Sequence, residues 1–252
     1  MSSVSNLYLF DIDGTLSKDG RIPASAIAAL SELRKQGDMV MLATGRCLGQ
    51  MQDILSQIEI DGAVLNNGAL IIAQNRILFS SEIDKNTIAA MLKKHFHLAF
   101  LTEKEYLRIE QHPIFDEFVP YFDIDTPKLV DRSYLFTQKI YSMGLYGHGL
   151  KPSDFHSYPD LRFVSVCPIG YDVMNGDIHK ASGIGTLRRT YPGRKIIAFG
   201  DNYNDIELLR AADISVAMAL APDEVKRHSD YVTLDPLEDG IYYALHQILK
   251  SI

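Results

Sequence analysis

The sequence is poor in cysteine, in long apolar runs and in positive charge. Its 252 residues include two cysteines, Cys47 and Cys167, which are too few for a disulfide framework. No apolar run in it approaches the roughly 20 residues that a membrane-spanning helix needs. The segment from Met1 to Asn6 has neither the basic region nor the apolar core of a signal peptide. We therefore expect a cytoplasmic protein with no membrane partner.

The charge balance argues against a nucleic-acid partner. The formal net charge is −7, and an acidic chain is poorly suited to forming a broad face that binds phosphate backbones. Hydrophobic residues make up 46% of the chain and charged residues 23%, which is typical of a globular protein and unlike a disordered one. At this length the chain has room for one large domain or two modest ones. No pattern in it indicates an oligomeric state.

The two ends of the chain alternate short apolar runs with amphipathic segments. The apolar runs predict strands over residues 7–10, 39–43, 63–65, 195–199 and 214–217. Apolar residues at helical spacing predict helices over residues 23–36, 48–58, 206–211, 224–228 and 237–252. Near-continuous apolar strands between amphipathic helices indicate a parallel sheet covered on both faces. The ends therefore predict a Rossmann-like α/β core.

The middle of the chain differs from its ends. It is richer in aromatic residues, with helices predicted over residues 86–94 and 152–156 and strands over 106–110, 138–144 and 163–166. We interpret residues 82–177 as an inserted α+β domain, and residues 1–81 and 178–252 as the core. The chain would cross between the two near Glu82 and near Asn175-Gly176.

Polar residues follow four of the predicted core strands. They are Asp11 and Asp13, Thr44 and Arg46, Asn66 and Asn67, and Asp201. In open α/β sheets, ligands bind outside the carboxyl ends of the strands. We therefore expect these side chains to converge on one site.

The pair Asp11 and Asp13 indicates a cation site. Two carboxylates that face one cavity repel each other unless a cation or a shared proton relieves them. Oxygen ligands favour a hard cation, and Mg²⁺ suits a site that also holds phosphate. Gly14 allows the chain to turn sharply after the strand. Taken alone, the pair could also be solvated aspartates in an ordinary turn at the end of a strand.

Four short motifs stand in a characteristic order along the chain. They are Asp11-Ile12-Asp13-Gly14-Thr15, Ala43-Thr44-Gly45-Arg46, Lys180, and Gly200-Asp201-Asn202-Tyr203-Asn204-Asp205. In order and spacing they resemble the four signatures of the haloacid dehalogenase (HAD) superfamily of phosphatases, the second in its Cof-type form. Asn67-Gly68 also resembles a motif of Cof-type members. The resemblance covers nearly the whole chain and implies that residues 82–177 are a cap domain over a HAD core.

The resemblance implies roles in catalysis and metal binding. Asp11 would be the nucleophile that forms an aspartyl-phosphate. Asp13 would be the general acid for the leaving oxygen and then the general base for water. Mg²⁺ would be held by the carboxylates of Asp11 and Asp201 and the backbone carbonyl of Asp13, with Asp205 supporting that shell directly or through water.

The same resemblance implies contacts with phosphate and substrate. Thr44, the backbone N–H of Gly45 and Lys180 would hold the phosphoryl oxygens. Asn67 and Asn204 would contribute further contacts in the same pocket. Arg46 would contact the substrate, or would instead pair with an acid of the inserted domain.

The implied reaction is hydrolysis of a small phosphomonoester, such as a sugar phosphate or a cofactor phosphate like pyridoxal phosphate or FMN. Two alternatives stay open. One is a sugar phosphomutase of the same superfamily, and the other is a non-catalytic protein that binds a phosphorylated metabolite. The sequence departs from the Cof-type pattern at Leu220, where an asparagine is common, so a helper contact in the site would be missing.

Overall fold

The chain forms short strands, which belong to two separate sheets, and short helices. The computed structural model describes residues 5–18, 20–94, 96–121 and 124–251. The strands are β1 (Leu7–Phe10), β2 (Met39–Ala43), β3 (Gly62–Leu65), β4 (Leu70–Ala73), β5 (Arg76–Ser80), β6 (His97–Leu101), β7 (Tyr106–Arg108), β8 (Lys128–Leu129), β9 (Ser142–Tyr146), β10 (Leu161–Cys167), β11 (Gly170–Asn175), β12 (Ile196–Gly200), β13 (Ile214–Ala217) and β14 (Tyr231–Val232). The α-helices are α1 (Ala24–Lys35), α2 (Gln52–Gln57), α3 (Lys85–Met91), α4 (Ile114–Phe118), α5 (Arg132–Leu135), α6 (Ile184–Thr190), α7 (Ile206–Ala211), α8 (Asp223–Lys226) and α9 (Gly240–Tyr243).

The larger sheet is built from both ends of the chain. Its order is β14-β13-β12-β1-β2-β3-β4-β5, and the strands from β14 to β3 pair in parallel. Leu7 and Leu9 pack in one buried cluster and Tyr8 and Phe10 in another, because successive side chains of a strand point to opposite faces. Helices α1 and α9 cover one face, and α6 and α7 cover the other. The predicted α/β core with a parallel sheet is therefore confirmed.

A hairpin extends this sheet beyond the parallel strands. β4 pairs antiparallel with β3, and β5 pairs antiparallel with β4, although the sequence patterns above predicted neither strand. The two strands are joined by Gln74 and Asn75, whose φ angles are 49° and 60°. Two residues at positive φ are the usual connection of a tight hairpin. The signal was present as two apolar runs separated by two residues.

Two predicted helices of the core are wrong in part. The segment predicted over 48–58 begins as a 3₁₀ turn, Leu48–Met51, before α2. The segment predicted over 237–252 is interrupted at Asp239, whose φ of 60° cannot belong to a right-handed helix. The chain there runs from α9 into a π-helix, Ala244–Ile248, and a final 3₁₀ turn. Ile252 lies outside the described residues.

The smaller sheet belongs to the middle of the chain. Its order is β10-β11-β9-β6-β7-β8, and its pairs are antiparallel apart from β7 with β8. β7 and β10 overlap the strands predicted over 106–110 and 163–166. The strand predicted over 138–144 is wrong in its start: β9 begins at Ser142, because Gln138 closes the turn after α5 by donating to the carbonyl of Leu135 (3.0 Å).

The chain crosses between the two sheets at two adjacent places. Asn175, at the end of β11, donates its side-chain amide to Ser81 Oγ (2.8 Å) and to the carbonyl of Glu82 (3.0 Å). The outgoing and returning segments therefore lie side by side. The domain boundaries at 81/82 and 177/178 stay a prediction. Within the described part of the chain, no helix combines the length and the apolar character needed to cross a membrane.

Candidate active site

The carboxyl ends of the parallel strands form the floor of a cavity of about 340 Å³. Asp11 follows β1, Thr44 follows β2, and the segment after β12 supplies Asn204. These residues line the cavity together with Asp13, Gly45, Arg46 and Lys180. The structure thus brings together residues from distant parts of the sequence at the edge of the sheet where ligands of open α/β folds bind.

Three carboxylates meet beside the cavity floor. One oxygen each from Asp11, Asp201 and Asp205 lies within 4.8 Å of the others. Burial raises the pKa of the Asp11 carboxyl well above its ordinary value, and the charge of Asp205 adds to the effect. The pKa of Asp201 is raised to about 6, first by burial and then by Asp205. Burial and a neighbouring carboxylate thus both disfavour the ionised forms of Asp11 and Asp201.

A buried lysine provides part of the compensation. Lys180 is 2% exposed, and its Nζ lies 2.5 Å from Asp11 Oδ1 and 2.7 Å from Asp205 Oδ1. Burial by itself would lower the pKa of this ammonium, but the charges of Asp11 and Asp205 outweigh it, and the pKa is raised. Lys180 is therefore held as a cation next to the predicted nucleophile.

Backbone donors and a threonine fix the carboxylates in place. Asp205 Oδ2 accepts from the N–H groups of Asp201 and Asn202 (3.1 Å each), and Thr15 Oγ1 donates to Asp201 Oδ1 (2.8 Å). Gly14 has a φ of +86°, and a Cβ there would stand 2.3 Å from Asp201 Oδ2. A carboxylate donor set held rigidly and undercompensated in charge fits a hard divalent cation.

Asp13 is clamped by Arg46. The guanidinium donates to both carboxylate oxygens, from Nε to Oδ2 (3.0 Å) and from Nη2 to Oδ1 (2.5 Å). Its Nη1 donates to the carbonyl of Gln50 (3.0 Å). One acid partner of Arg46 is thus a core residue, and the expected pairing with an acid of the inserted domain stays a prediction. The pairing of Asp13 with Arg46 could not be predicted from the sequence, since it depends on the turn after β1.

The loop after β2 is closed against the end of β3. Thr44 Oγ1 accepts from the N–H of Arg46 (3.1 Å), and the N–H of Asn67 donates to the carbonyl of Thr44 (3.0 Å). Gly68 has a φ of +97°, and a Cβ there would stand 2.0 Å from the carbonyl oxygen of His179. The glycine thus allows the segment that carries Lys180 to pack directly on this turn.

The opposite wall of the cavity comes from the smaller sheet and is largely apolar. Its lining side chains include Phe118, Ile124 and Val166. Tyr106 and Tyr146 also line it, and their hydroxyls lie 2.5 Å apart. The sequence patterns above singled out none of these residues, because each has an unremarkable apolar or aromatic neighbourhood along the chain.

One carboxylate reaches the cavity from the smaller sheet. Asp172, in β11, lines the cavity and accepts from Asn67 Nδ2 (2.7 Å). Burial raises its pKa to about 6, partly offset by the Asn67 hydrogen bond. The two partners are 105 residues apart in sequence, and no motif marks Asp172. Asn67 is not among the lining residues of this cavity, and its predicted contact with phosphate stays a prediction.

Leu220 follows a strand of the larger sheet but does not line the cavity. The residue follows β13 and its side chain is 71% exposed. Among the described residues it is not one of those that line the cavity. Whether a helper contact is missing at this position stays a prediction.

The sequence matches a known protein family over nearly its whole length. A family model described as haloacid dehalogenase-like hydrolase matches residues 8–245. The chain belongs to this family of hydrolases. Membership and the relatives described next also confirm the predicted enzyme class, a HAD-like phosphatase.

Several relatives match the chain over nearly its whole length. YkrA of Bacillus subtilis (strain 168), whose name assigns it provisionally to the phosphatases, is 28% identical and aligns over 97% of this chain and 98% of its own. A hypothetical protein from Geobacillus kaustophilus HTA426 superposes with a TM-score of 0.89 at 30% identity, over 97% of this chain and 99% of its own. A HAD subclass IIB sugar phosphatase, BT4131, superposes with a TM-score of 0.84 at 28% identity, with the same coverage.

Proposed function

We propose that this protein is a Mg²⁺-dependent phosphatase that hydrolyses a small phosphomonoester through a phosphorylated Asp11. The observation that carries the proposal is the placement of Asp11. Its carboxylate is buried beside Lys180 and two further carboxylates, at the floor of a cavity that also holds Asp13. A nucleophile, an acid–base group and a cation site in one cavity are the parts that phosphoryl transfer by an aspartate requires.

The metal site would consist of oxygen ligands alone. The carboxylates of Asp11 and Asp201 and the backbone carbonyl of Asp13 would hold Mg²⁺, with Asp205 as support. When bound, the ion neutralises negative charge on the nucleophile and on the phosphate. Asp205 already accepts two backbone hydrogen bonds and one from Lys180, so it acts mainly by orienting the loop that carries Asp201.

The reaction would proceed in two displacements. An oxygen of Asp11 attacks phosphorus, the bond from phosphorus to the leaving oxygen breaks, and Asp13 gives its proton to that oxygen. Water then attacks the aspartyl-phosphate, Asp13 takes a proton from it, and the bond between phosphorus and Asp11 breaks. Inorganic phosphate leaves and both aspartates return to their starting states.

The phosphoryl oxygens would be held from two sides. Thr44 and the N–H of Gly45 would donate from the loop after β2, and Lys180 would supply positive charge from the other side. Asn204 lines the same cavity and would add a hydrogen bond. Arg46 would act through Asp13, whose carboxylate it orients.

The substrate would be a small phosphorylated metabolite in the cytoplasm. The cavity of about 340 Å³ lies at the low end of the volumes typical of small-molecule sites. Sugar phosphates and cofactor phosphates such as pyridoxal phosphate or FMN remain the proposed classes. One relative is named as a sugar phosphatase, which places sugar phosphates first in a panel.

The proposal is tested by phosphate release. The wild-type protein would be assayed on p-nitrophenyl phosphate and a panel of phosphorylated metabolites, with Mg²⁺ and with chelator. We expect release that requires Mg²⁺ and that falls at least about a thousandfold in Asp11→Asn. Asp160→Asn, a change of an exposed aspartate that does not line the cavity, is the matched control and should retain wild-type turnover.

Two results would contradict the proposal. If Asp11→Asn turned over as fast as wild type, Asp11 would not be the nucleophile. If no compound released phosphate and a sugar phosphate was instead converted in the presence of its bisphosphate, the protein would be a phosphomutase. Binding of metabolites without turnover of either kind would favour a non-catalytic protein.

A further inference from the structure

The turn after β3 connects the cavity floor with the smaller sheet. Asn66 and Asn67 both have a φ of 52°, a left-handed conformation that asparagine tolerates better than most residues. Asn66 donates its side-chain amide to the carbonyl of Thr102 (3.2 Å), and Asn67 donates to Asp172 (2.7 Å). Two consecutive side chains thus reach two different places in the smaller sheet, the residue after β6 and the interior of β11.

The backbone of the same turn supports the predicted phosphate-binding loop. The N–H groups of Asn66 and Asn67 donate to the carbonyls of Arg46 (3.2 Å) and Thr44 (3.0 Å). The side chain of Asn67 packs against Gly45, where an added Cβ would stand 3.0 Å from its Nδ2. A shift of Asn67 would therefore be felt directly by Thr44 and Gly45.

The orientation of the Asn67 amide is set by two partners of different chemistry. Asp172 offers an acceptor, so it takes the NH₂ end of the amide. Asn204 Nδ2 donates to the carbonyl end, Asn67 Oδ1, at 3.4 Å. A rotation of the amide by half a turn would place like groups against both partners. The carboxylate of Asp172 thus selects one of the two orientations.

We propose that Asp172 is a positioning residue, which acts through Asn67 to hold the Thr44-Gly45 loop and Asn204 in place when the smaller sheet covers the cavity. The inference rests on the proposed phosphatase function and deepens it. It replaces the direct contact of Asn67 with phosphate by an indirect one. Turnover thereby depends on a carboxylate of the inserted domain that need not contact the phosphoryl group.

A second pair between the two sheets provides a control for simple attachment. Arg162, in β10, donates to Glu207 in α7 at 2.7 Å. This pair also joins the middle of the chain to the core, but neither member lines the main cavity. If Asp172 only attached the two parts to each other, loss of Glu207 would have the same effect as loss of Asp172.

The test compares steady-state kinetics of Asp172→Ala, Asp172→Asn and Glu207→Gln with wild type, on p-nitrophenyl phosphate with Mg²⁺ and full-length protein. We expect Asp172→Ala to lower kcat about 10- to 100-fold, with KM within about threefold, because misplacement of catalytic groups acts on turnover. Asp172→Asn keeps an acceptor for Asn67 and should lose clearly less. Glu207→Gln should behave like wild type.

A paired exchange tests the contact itself and does not depend on the folding of Asp172→Ala. In Asn67→Asp, two carboxylates face each other, and kcat should fall at least about tenfold. In the double variant Asn67→Asp with Asp172→Asn, the donor and acceptor are exchanged and most of the lost kcat should return. Thermal melts followed by circular dichroism would establish that each variant is folded.

Several outcomes would overturn the inference. The double variant could be no better than Asn67→Asp, the loss in Asp172→Ala could fall on KM, or Glu207→Gln could match Asp172→Ala. A wild-type enzyme that is active and a silent Asp172→Ala would also refute it while leaving the phosphatase function intact. A wild type that releases no phosphate would instead refute the function, and the inference with it.

Discussion

Replacing Lys180 with methionine removes a positive charge from the centre of the candidate site without leaving a large cavity. In the wild type, one ammonium group neutralises part of the charge of Asp11 and Asp205, at 2.5 and 2.7 Å. Asp205 is fully buried and Lys180 nearly so. In Lys180→Met, the carboxylates keep their burial and lose this partner.

The size of the effect follows from this burial. Removing one partner of a buried ion pair destabilises a protein by about 3–5 kcal/mol, because the other charge stays desolvated. For a chain of this size, 1 kcal/mol corresponds to about 2–4 °C, so the melting temperature should fall by roughly 6–20 °C. Excess Mg²⁺ should restore part of the lost stability, since a ligand at 100 times its Kd stabilises a protein by about 2.7 kcal/mol.

The assay is thermal unfolding followed by circular dichroism, with chelator and with excess Mg²⁺. Arg227→Gln is the matched control: its partner Glu224 lies 3.5 Å away and both side chains are exposed, so its loss should cost less than about 1 kcal/mol. If Lys180→Met melted within about 2 °C of wild type in chelator, the buried pair would not carry the charge balance inferred here. If Mg²⁺ raised the melting temperature of neither the variant nor wild type, the three carboxylates would not be the cation site.

Two further variants test other parts of the site. Asp13→Asn should keep the rise in melting temperature caused by Mg²⁺. Its kcat should fall by about 10²- to 10⁴-fold, which is the usual contribution of a general acid–base group. Unchanged turnover in steady-state assays would show that Asp13 does not have that role. Gly68→Ala should be destabilised by clearly more than about 1 kcal/mol in urea unfolding, because positive φ is combined with the approach to His179. Gly149→Ala, where φ is +71° and the space is open, is its control, and equal losses in the two variants would contradict the steric argument.

The core and the floor of the site could be predicted because their signals are local. The strands Leu7–Phe10 and Met39–Ala43 are both short apolar runs that end at a polar residue, an aspartate after the first and a threonine after the second. Once such runs are assigned to a parallel sheet, the rule that ligands bind at carboxyl ends brings Asp11, Thr44 and Asp201 together. Functional residues that directly follow a strand can thus be predicted from the sequence without any tertiary information.

The opposite wall could not be predicted in the same way. The contact between Asp172 and Asn67 spans 105 residues, and the hydroxyl pair of Tyr106 and Tyr146 spans 40. Neither pair has a periodicity or a turn signal of its own. The first contact depends on how the two sheets face each other, and the second on the packing of β7 and β9 within the smaller sheet. Neither is decided by any one segment of the chain.

The pairing of Arg46 shows a third limit. The motif position predicted a functional arginine, and the structure places it on both oxygens of Asp13. An arginine extends far enough to satisfy several acids from one backbone position, so sequence order alone does not choose among them. The contact with Asp13 arises because the turn after β1 brings this carboxylate next to the loop after β2.

The chain leaves the larger sheet and returns to it at almost the same point. Asn175 connects the returning segment to Ser81 and Glu82 of the outgoing one by hydrogen bonds. The whole insertion is therefore attached to the core like a single surface loop whose two ends lie side by side. The entropy lost on closing a loop grows only slowly with its length. A related chain could therefore shorten, enlarge or replace the segment between these two crossings while keeping the strand order of its larger sheet.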